Sequence, residues 1–206
     1  LLGKASVLRP LQIMSIGFLV DQETPMVWRG PMVTSTLEQL LRETKWSNLD
    51  YLLIDLPPGT GDIQLTLAQK IPVTGAIIVT TPQDISLLDA RRGLKMFEKV
   101  NVPIIGILEN MALHICSKCN NEEHIFGKDG GSKMSEDYDV DLLGSLPLDI
   151  KIREDLDGGK PTVINDQNSP ITKIFSEIAV KIASKVAGYS EDHTVKFPKI
   201  VIDKNT

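Results

Sequence analysis

The chain has 206 residues, of which 42% are hydrophobic and 24% charged, a composition typical of ordinary globular proteins. Its 22 basic and 27 acidic residues give a net charge of -5 without a basic block, which excludes nucleic acid as an expected partner. The apolar runs are shorter than the roughly 20 residues that cross a bilayer, so we expect no membrane span. We predict a single domain over residues 1–188 and a polar C-terminal tail over residues 189–206.

Short apolar runs alternate with amphipathic segments along the chain, which predicts an α/β fold with a mostly parallel sheet flanked by helices. Several of these runs are apolar on both faces, as the buried strands of a parallel sheet require. In chain order, we predict strands at residues 12–20, 51–56, 76–81, 103–109 and 141–146, and helices at residues 34–43, 63–69, 86–100 and about 170–186.

The run Asp-Leu-Pro-Pro-Gly-Thr-Gly-Asp occupies residues 55–62. Asp55 ends the predicted strand at residues 51–56, and open α/β sheets bind ligands at the carboxyl ends of their strands, so its carboxylate is a candidate ligand for Mg²⁺. Gly59 allows backbone amides to approach an anion closely, and Asp62 adds a second carboxylate. The alternative is a capping aspartate in a tight turn.

Two further candidates follow later strands. Asn110 comes directly after the strand at residues 103–109, and its amide offers both a donor and an acceptor to a purine edge. The alternative for Asn110 is that it caps the end of the strand. Pro147 follows the strand at residues 141–146, where it either lines a base pocket or terminates the strand.

Cys116 and Cys119 are the two cysteines of the sequence, and their spacing lets both sulfurs reach one metal centre. Two cysteines do not make a disulfide framework. They suit a reducing compartment such as the cytoplasm or an organelle matrix.

Four interpretations of this pair stay open on the residues alone. One is a thioredoxin-like redox motif, although such a motif opens a helix directly after a strand. Another is a mononuclear zinc site with His114 and His124 as the further ligands. A third is a [4Fe–4S] cluster that takes two of its four thiolates from a second copy across a two-fold axis. The fourth is a pair of unconnected surface thiols.

A phosphate-binding loop of the form Gly-x4-Gly-Lys-Ser/Thr does not occur in the sequence. The run Gly3-Lys4-Ala5-Ser6 matches only the last half of that loop and has no strand before it. We interpret this match as a coincidence.

These motifs together resemble the Mrp/ApbC group of P-loop ATPases, which are iron–sulfur cluster carriers related to MinD. The resemblance covers about residues 12–165 and rests above all on Pro-Pro-Gly-Thr-Gly-Asp-Ile-Gln-Leu-Thr at residues 57–66, followed by the cysteine pair. Further matching stretches lie at residues 14–20, 27–32, 50–69, 72–84, 109–111, 125–127 and 152–154.

The resemblance implies a MinD-like P-loop NTPase fold and a homodimer that binds ATP with Mg²⁺ and carries a [4Fe–4S] cluster bridged by two cysteine pairs. It makes Cys116 and Cys119 the cluster ligands. It places Asn110 and Pro147 near the adenine. The residues expected at the nucleotide, of which Asp55 and Asp62 are the catalytic ones, are Asp55, Gly59, Asp62, Asn110 and Pro147.

The function implied by the resemblance is ATP-dependent transfer of the cluster to apo iron–sulfur proteins, in the bacterial cytoplasm or, alternatively, the mitochondrial matrix. The family places its first strand and phosphate-binding loop before the position at which Leu1 begins. We therefore expect an N-terminally incomplete chain with an intact cluster site and little ATP binding, and a weak ATPase in the complete protein. The alternative is a zinc-binding, MinD-like regulatory or scaffold protein without cluster transfer.

Overall fold

The computed structural model describes residues 6–8, 11–18, 30–56, 61–116 and 118–189, and the chain divides into two units, Leu1–Ile71 and Pro72–Thr206. Of the predicted tail, residues 190–206 lie outside the described residues. The domain boundary at residue 188 stays a prediction.

In the first unit, β1 (Ser6–Leu8) pairs antiparallel with β2 (Leu11–Ile13), and a 3-10 turn follows at Ile16–Phe18. Two helices, α1 (Gly30–Glu43) and α2 (Asp62–Lys70), pack against each other. In α1, buried and half-buried apolar residues recur at steps of three and four, as in any helix that covers a core. Both helices confirm the predicted ones and are slightly longer.

Two strand predictions in this unit are wrong. The strand predicted at residues 12–20 is limited to β2, and residues 19 and 20 lie outside the described part of the chain. Residues 51–56 form no strand with any described segment, and the side chain of Leu53 is 81% exposed. A strand needs a neighbouring strand that pairs with its N–H and C=O groups, and other elements that bury its apolar faces. The apolar pattern of the sequence does not indicate whether either is present.

The second unit carries the larger sheet. In chain order its elements are β3 (Ala76–Thr80), α3 (Asp84–Lys99), β4 (Ile104–Glu109), β5 (His114–Ile115), β6 (Glu122–Glu123), α4 (Gly130–Tyr138), β7 (Leu142–Ser145), α5 (Ile150–Asp157), α6 (Thr162–Asn165) and α7 (Pro170–Tyr189). The elements β3, β4, β7, α3 and α7 confirm the predicted strands and helices. The other five have no counterpart in the predicted pattern.

The described strands β3, β4 and β7 form a parallel sheet in that order. Ile77 lies beside Gly106 in the first strand pair, and Ile107 lies beside Leu142 in the second. Each parallel connection contains a helix, α3 between β3 and β4 and α4 between β4 and β7, as crossover connections require.

Helices cover both faces of this sheet. On one face, α3 and α4 pack onto the strands around a cluster made of Ile78, Leu87, Ala90, Leu94, Ile107 and Met134. On the other face, α7 packs onto β7 through Ile178, which contacts the cluster of Leu143 and Leu146. The predicted α/β fold with a parallel sheet flanked by helices is confirmed. Every helix that the structure describes is too short or too polar to cross a lipid bilayer.

Candidate functional site

The carboxyl edge of the sheet brings together two of the predicted residues. The backbone N–H of Asn110 donates to Thr80 O (2.7 Å) at the end of β3, and the N–H of Leu146 donates to Glu109 O (2.8 Å) at the end of β4. Asn110 and Pro147 therefore follow neighbouring parallel strands at one edge. Their contact with adenine stays a prediction.

The side chain of Asn110 has a local structural role as well. Its Oδ1 accepts a hydrogen bond from the backbone N–H of Met111 (2.9 Å). Met111 has a φ of 56°, a left-handed conformation that residues other than glycine adopt infrequently. Asn110 thus stabilises the turn that leaves β4, as the capping alternative expects, and this turn starts the segment that carries the cysteines.

For the three nucleotide-site residues predicted in the first unit, the structure gives less support. Asp55 is exposed and follows no paired strand among the described residues, so the expectation that it ends a buried strand is wrong. Gly59 lies outside the described residues, and Asp62 is the first residue of α2. Their roles at a nucleotide stay predictions.

The two cysteines lie on a short hairpin. The strands β5 and β6 pair antiparallel, with His114 opposite Glu123 and Ile115 opposite Glu122. Across the turn, the N–H of Cys116 donates to Asn121 O (3.0 Å), and the N–H of Asn120 donates to Cys116 O (2.9 Å). Both thiols are free, with Cys116 half-buried and Cys119 exposed. The hairpin thus presents both thiols at the protein surface.

The surroundings of Cys116 favour its thiolate. The backbone N–H groups of Lys118 and Cys119 donate to its sulfur and lower the pKa of the thiol. The Cys119 side chain also lowers the pKa of this thiol, burial raises it, and the electrostatic effect of His114, the weakest of these, lowers it. Thiolates are the form of cysteine that binds metals, so these amides favour the form of Cys116 that a metal site would require.

The two histidines near the hairpin are held by backbone carbonyls. His114 Nδ1 lies 3.0 Å from Leu148 O, and His124 Nδ1 lies 3.0 Å from Ala112 O. Among the residues that the structure describes, no group of three or more His, Cys, Asp or Glu side chains is arranged to hold a metal ion. The mononuclear zinc site considered for Cys116, Cys119 and these histidines is therefore not assembled within the described part of one chain.

Sequence reasoning missed Glu109, the last residue of β4. Its side chain is buried, with 4% exposed, and its Oε1 accepts from the N–H of Gly131 (2.7 Å) while Oε2 accepts from Ser145 Oγ (3.1 Å). A Cβ at Gly131 would lie 2.9 Å from Glu109 Cβ, so glycine is required for this approach. A lone acid ending an apolar strand, followed by the Gly130-Gly131 pair, is the signal that the sequence offers.

Glu109 and Gly131 flank the segment that contains the cysteines. The hydrogen bond between them joins the end of β4 to the start of α4 and so closes the base of this segment. The bond to Ser145 adds the end of β7 to the same buried group. One carboxyl group thus joins β4, α4 and β7.

A parallel sheet with helices on both faces defines an open α/β protein, and proteins of this class bind their ligands at the carboxyl ends of the strands. The family model described as NUBPL iron-transfer P-loop NTPase matches residues 5–183, and the chain belongs to this family. The resemblance that the motifs predict is confirmed.

Relatives and solved structures agree with this assignment. The chain is 61% identical over 170 residues to the iron–sulfur cluster carrier protein of Pseudomonas fragi, covering 82% of the chain and 59% of the relative. A nucleotide-binding protein from Archaeoglobus fulgidus, solved in complex with ADP, is 30% identical with a TM-score of 0.65, covering 81% of this chain and 63% of that one.

The cell division ATPase MinD of Pyrococcus furiosus shares the fold, with a TM-score of 0.53 at 23% identity over 76% of this chain and 59% of that one. The chain spans about half the length of the curated relatives it matches.

Proposed function

We propose that the chain carries an iron–sulfur cluster as cargo and that Cys116 and Cys119 hold it. The observation that carries this proposal is a hairpin with two free thiols, one of which has a lowered pKa caused by backbone amides. Family membership and the names of the relatives support the same cargo.

The cluster is of the [4Fe–4S] type and is shared by two copies of the chain. Such a cluster takes four thiolates, whereas the sequence has two cysteines. Since the described residues offer no third ligand beside them, the missing thiolates come from a second hairpin related by a two-fold axis. A cluster held in this way between exposed loops can be passed to an apo iron–sulfur protein, in the bacterial cytoplasm or the mitochondrial matrix.

Anaerobic reconstitution with iron and sulfide tests the proposal directly. We expect a brown protein with broad visible absorption, about two iron and two sulfide per chain, and a dimer in the loaded state. Cys116→Ala and Cys119→Ala are expected to abolish loading. Lys118→Ala is the matched control, because it lies between the cysteines and keeps the backbone N–H that donates to Cys116.

Two results would overturn the proposal. One is a colourless protein with about one zinc per chain, which would support the zinc-binding scaffold instead. The other is unchanged iron loading in both cysteine variants, because the cluster would then lie elsewhere.

The nucleotide part of the function is proposed for the whole protein. There, ATP with Mg²⁺ is hydrolysed slowly, and hydrolysis regulates the release of the cluster. The P-loop NTPase family and the ADP-bound Archaeoglobus structure support nucleotide binding. Asp55, Gly59 and Asp62 are proposed at the metal and phosphates, and Asn110 and Pro147 at the adenine.

ATP titration of the 206-residue chain tests the expectation about the phosphate-binding loop. Because the sequence lacks Gly-x4-Gly-Lys-Ser/Thr, we expect weak binding or none. Binding in the micromolar range would show that this loop is not needed and would contradict the reasoning.

A further inference from the structure

The cysteine hairpin is too short to be rigid through its own strand pairing. β5 and β6 contribute two residues each, and the turn adds two backbone hydrogen bonds at Cys116. Isolated two-stranded hairpins are marginally stable in water, whereas a metal centre needs its ligands held within a fraction of an ångström. Something beyond the hairpin has to fix its position.

His114 connects the first arm of the hairpin to the chain that follows β7. The Nδ1 atom of His114 lies 3.0 Å from Leu148 O. Beside this contact, the backbone N–H of Leu148 donates to Leu113 O (2.8 Å). The N–H of Ala112 donates to Leu146 O (3.0 Å) just before it. Residues 112–114 are thereby attached to residues 146–148, next to the carboxyl edge of the sheet.

His124 connects the two arms of the hairpin to each other. It follows β6 directly, and its Nδ1 reaches back to Ala112 O at 3.0 Å, beyond the last strand pair formed by His114 and Glu123. The ring therefore supplies one more bond to a ladder that is otherwise two pairs long. It closes the hairpin at the end opposite the cysteines.

We propose that His114 and His124 are positioning residues that fix the cysteine hairpin, and that neither is a metal ligand. A carbonyl oxygen only accepts hydrogen bonds, so Nδ1 of each ring carries the hydrogen in the neutral as in the charged form. Nδ1 of each ring is therefore used for the hairpin contact, and among the described residues the histidines and cysteines form no group of three that could hold a metal ion. The inference rests on the proposed function insofar as the hairpin is taken to hold the cluster.

Leucine and asparagine variants separate positioning from ligation. Asparagine has an amide nitrogen that lies the same number of bonds from Cβ as Nδ1 of histidine, so it keeps a hydrogen-bond donor at this position. Leucine is similar to asparagine in size and branching but has no donor. The measurement is the rate at which an iron chelator removes the cluster from reconstituted protein. Each His→Leu variant is expected to lose the cluster roughly three- to tenfold faster than the parent, from the loss of one hydrogen bond.

The corresponding His114→Asn and His124→Asn variants are expected to stay within about twofold of the parent rate, with an unchanged visible spectrum. Equal behaviour of leucine and asparagine variants, whether both fast or both unchanged, would overturn the inference. A changed spectrum in the asparagine variants would instead identify a ligand. If His114→Leu does not fold, the comparison of His124→Leu with His124→Asn still tests the positioning role. His124 is exposed, so we expect both of its variants to fold.

Hydrogen exchange on the cluster-free chain keeps this inference distinct from the proposed function. The reporters are the amides of Cys116 and Asn120, which donate across the hairpin turn. Leucine variants are expected to accelerate their exchange and asparagine variants are not. A chain that never takes up a cluster would refute the proposed function alone, while equal exchange in all variants would refute the positioning role.

Discussion

Replacing Glu109 with alanine is expected to destabilise the second unit more than any conservative change at the same position. The variant leaves the buried N–H of Gly131 without its acceptor, at a cost of about 1–3 kcal/mol. It also removes the bond from Ser145, whose half-buried hydroxyl can turn to other partners, so this loss adds about 0.5–1.5 kcal/mol. The expected total is about 1.5–4.5 kcal/mol in the free energy of unfolding.

Glu109→Gln is the matched control for this variant. Its amide oxygen still accepts from Gly131, and its amide nitrogen can donate to Ser145 Oγ, so we expect a loss below about 1 kcal/mol. Both values come from urea unfolding curves with equal slopes, followed by circular dichroism. Equal losses in the two variants, or a loss below about 1 kcal/mol in Glu109→Ala, would refute the view that this carboxyl group holds β4, α4 and β7 together.

Two further predictions concern packing and pH. Gly106→Ala places a Cβ 2.5 Å from Leu143 Cγ and is expected to lower the free energy of unfolding by about 1–3 kcal/mol or more. Gly93→Ala places a Cβ with no atom within 4 Å beyond its own stretch of helix and is expected to stabilise α3 by up to about 1 kcal/mol. Urea unfolding that ranks the two variants alike would contradict the packing described. The hydrogen bond between Lys151 and Asp166 (2.7 Å) lowers the pKa of Asp166 and raises that of Lys151, so the pair stabilises the fold between these two values. The melting temperature of Asp166→Asn is therefore expected to lie below that of the parent chain by a constant amount near neutral pH, and this difference is expected to disappear below about pH 4. A difference in melting temperature that persists near about pH 2 would contradict the assigned ion pair.

The parts of the fold that the sequence predicts are those whose pattern is set by burial. β3, β4 and β7 are apolar runs in the sequence and lie in the covered sheet, and α3 shows its buried face as Leu87, Ala90 and Leu94. The short helix α4 has no such pattern, because its start is fixed by the approach of Gly130 and Gly131 to residues of other elements. Packing contacts of this kind leave no periodic trace.

Residues 51–56 show the opposite failure. Their apolar character resembles that of β4, yet no described neighbour pairs with them and Leu53 is exposed. Hydrophobicity reports a tendency to leave water, while strand formation also depends on a partner whose position the local sequence does not encode. In β3, β4 and β7 an apolar sequence and a pairing partner occur together, whereas residues 51–56 are apolar without a partner among the described residues.

For the candidate site, the sequence by itself predicts the ligand chemistry from two cysteines at a spacing typical of metal sites, in a chain whose motifs indicate its family. Tertiary structure alone decided how those cysteines are held. Glu109 meets Gly131 and Ser145, and the two histidines meet backbone carbonyls, through contacts between residues up to 36 positions apart. Ligand type is a property of a side chain and can be read locally, whereas positioning depends on which distant groups the folded chain brings within hydrogen-bond distance.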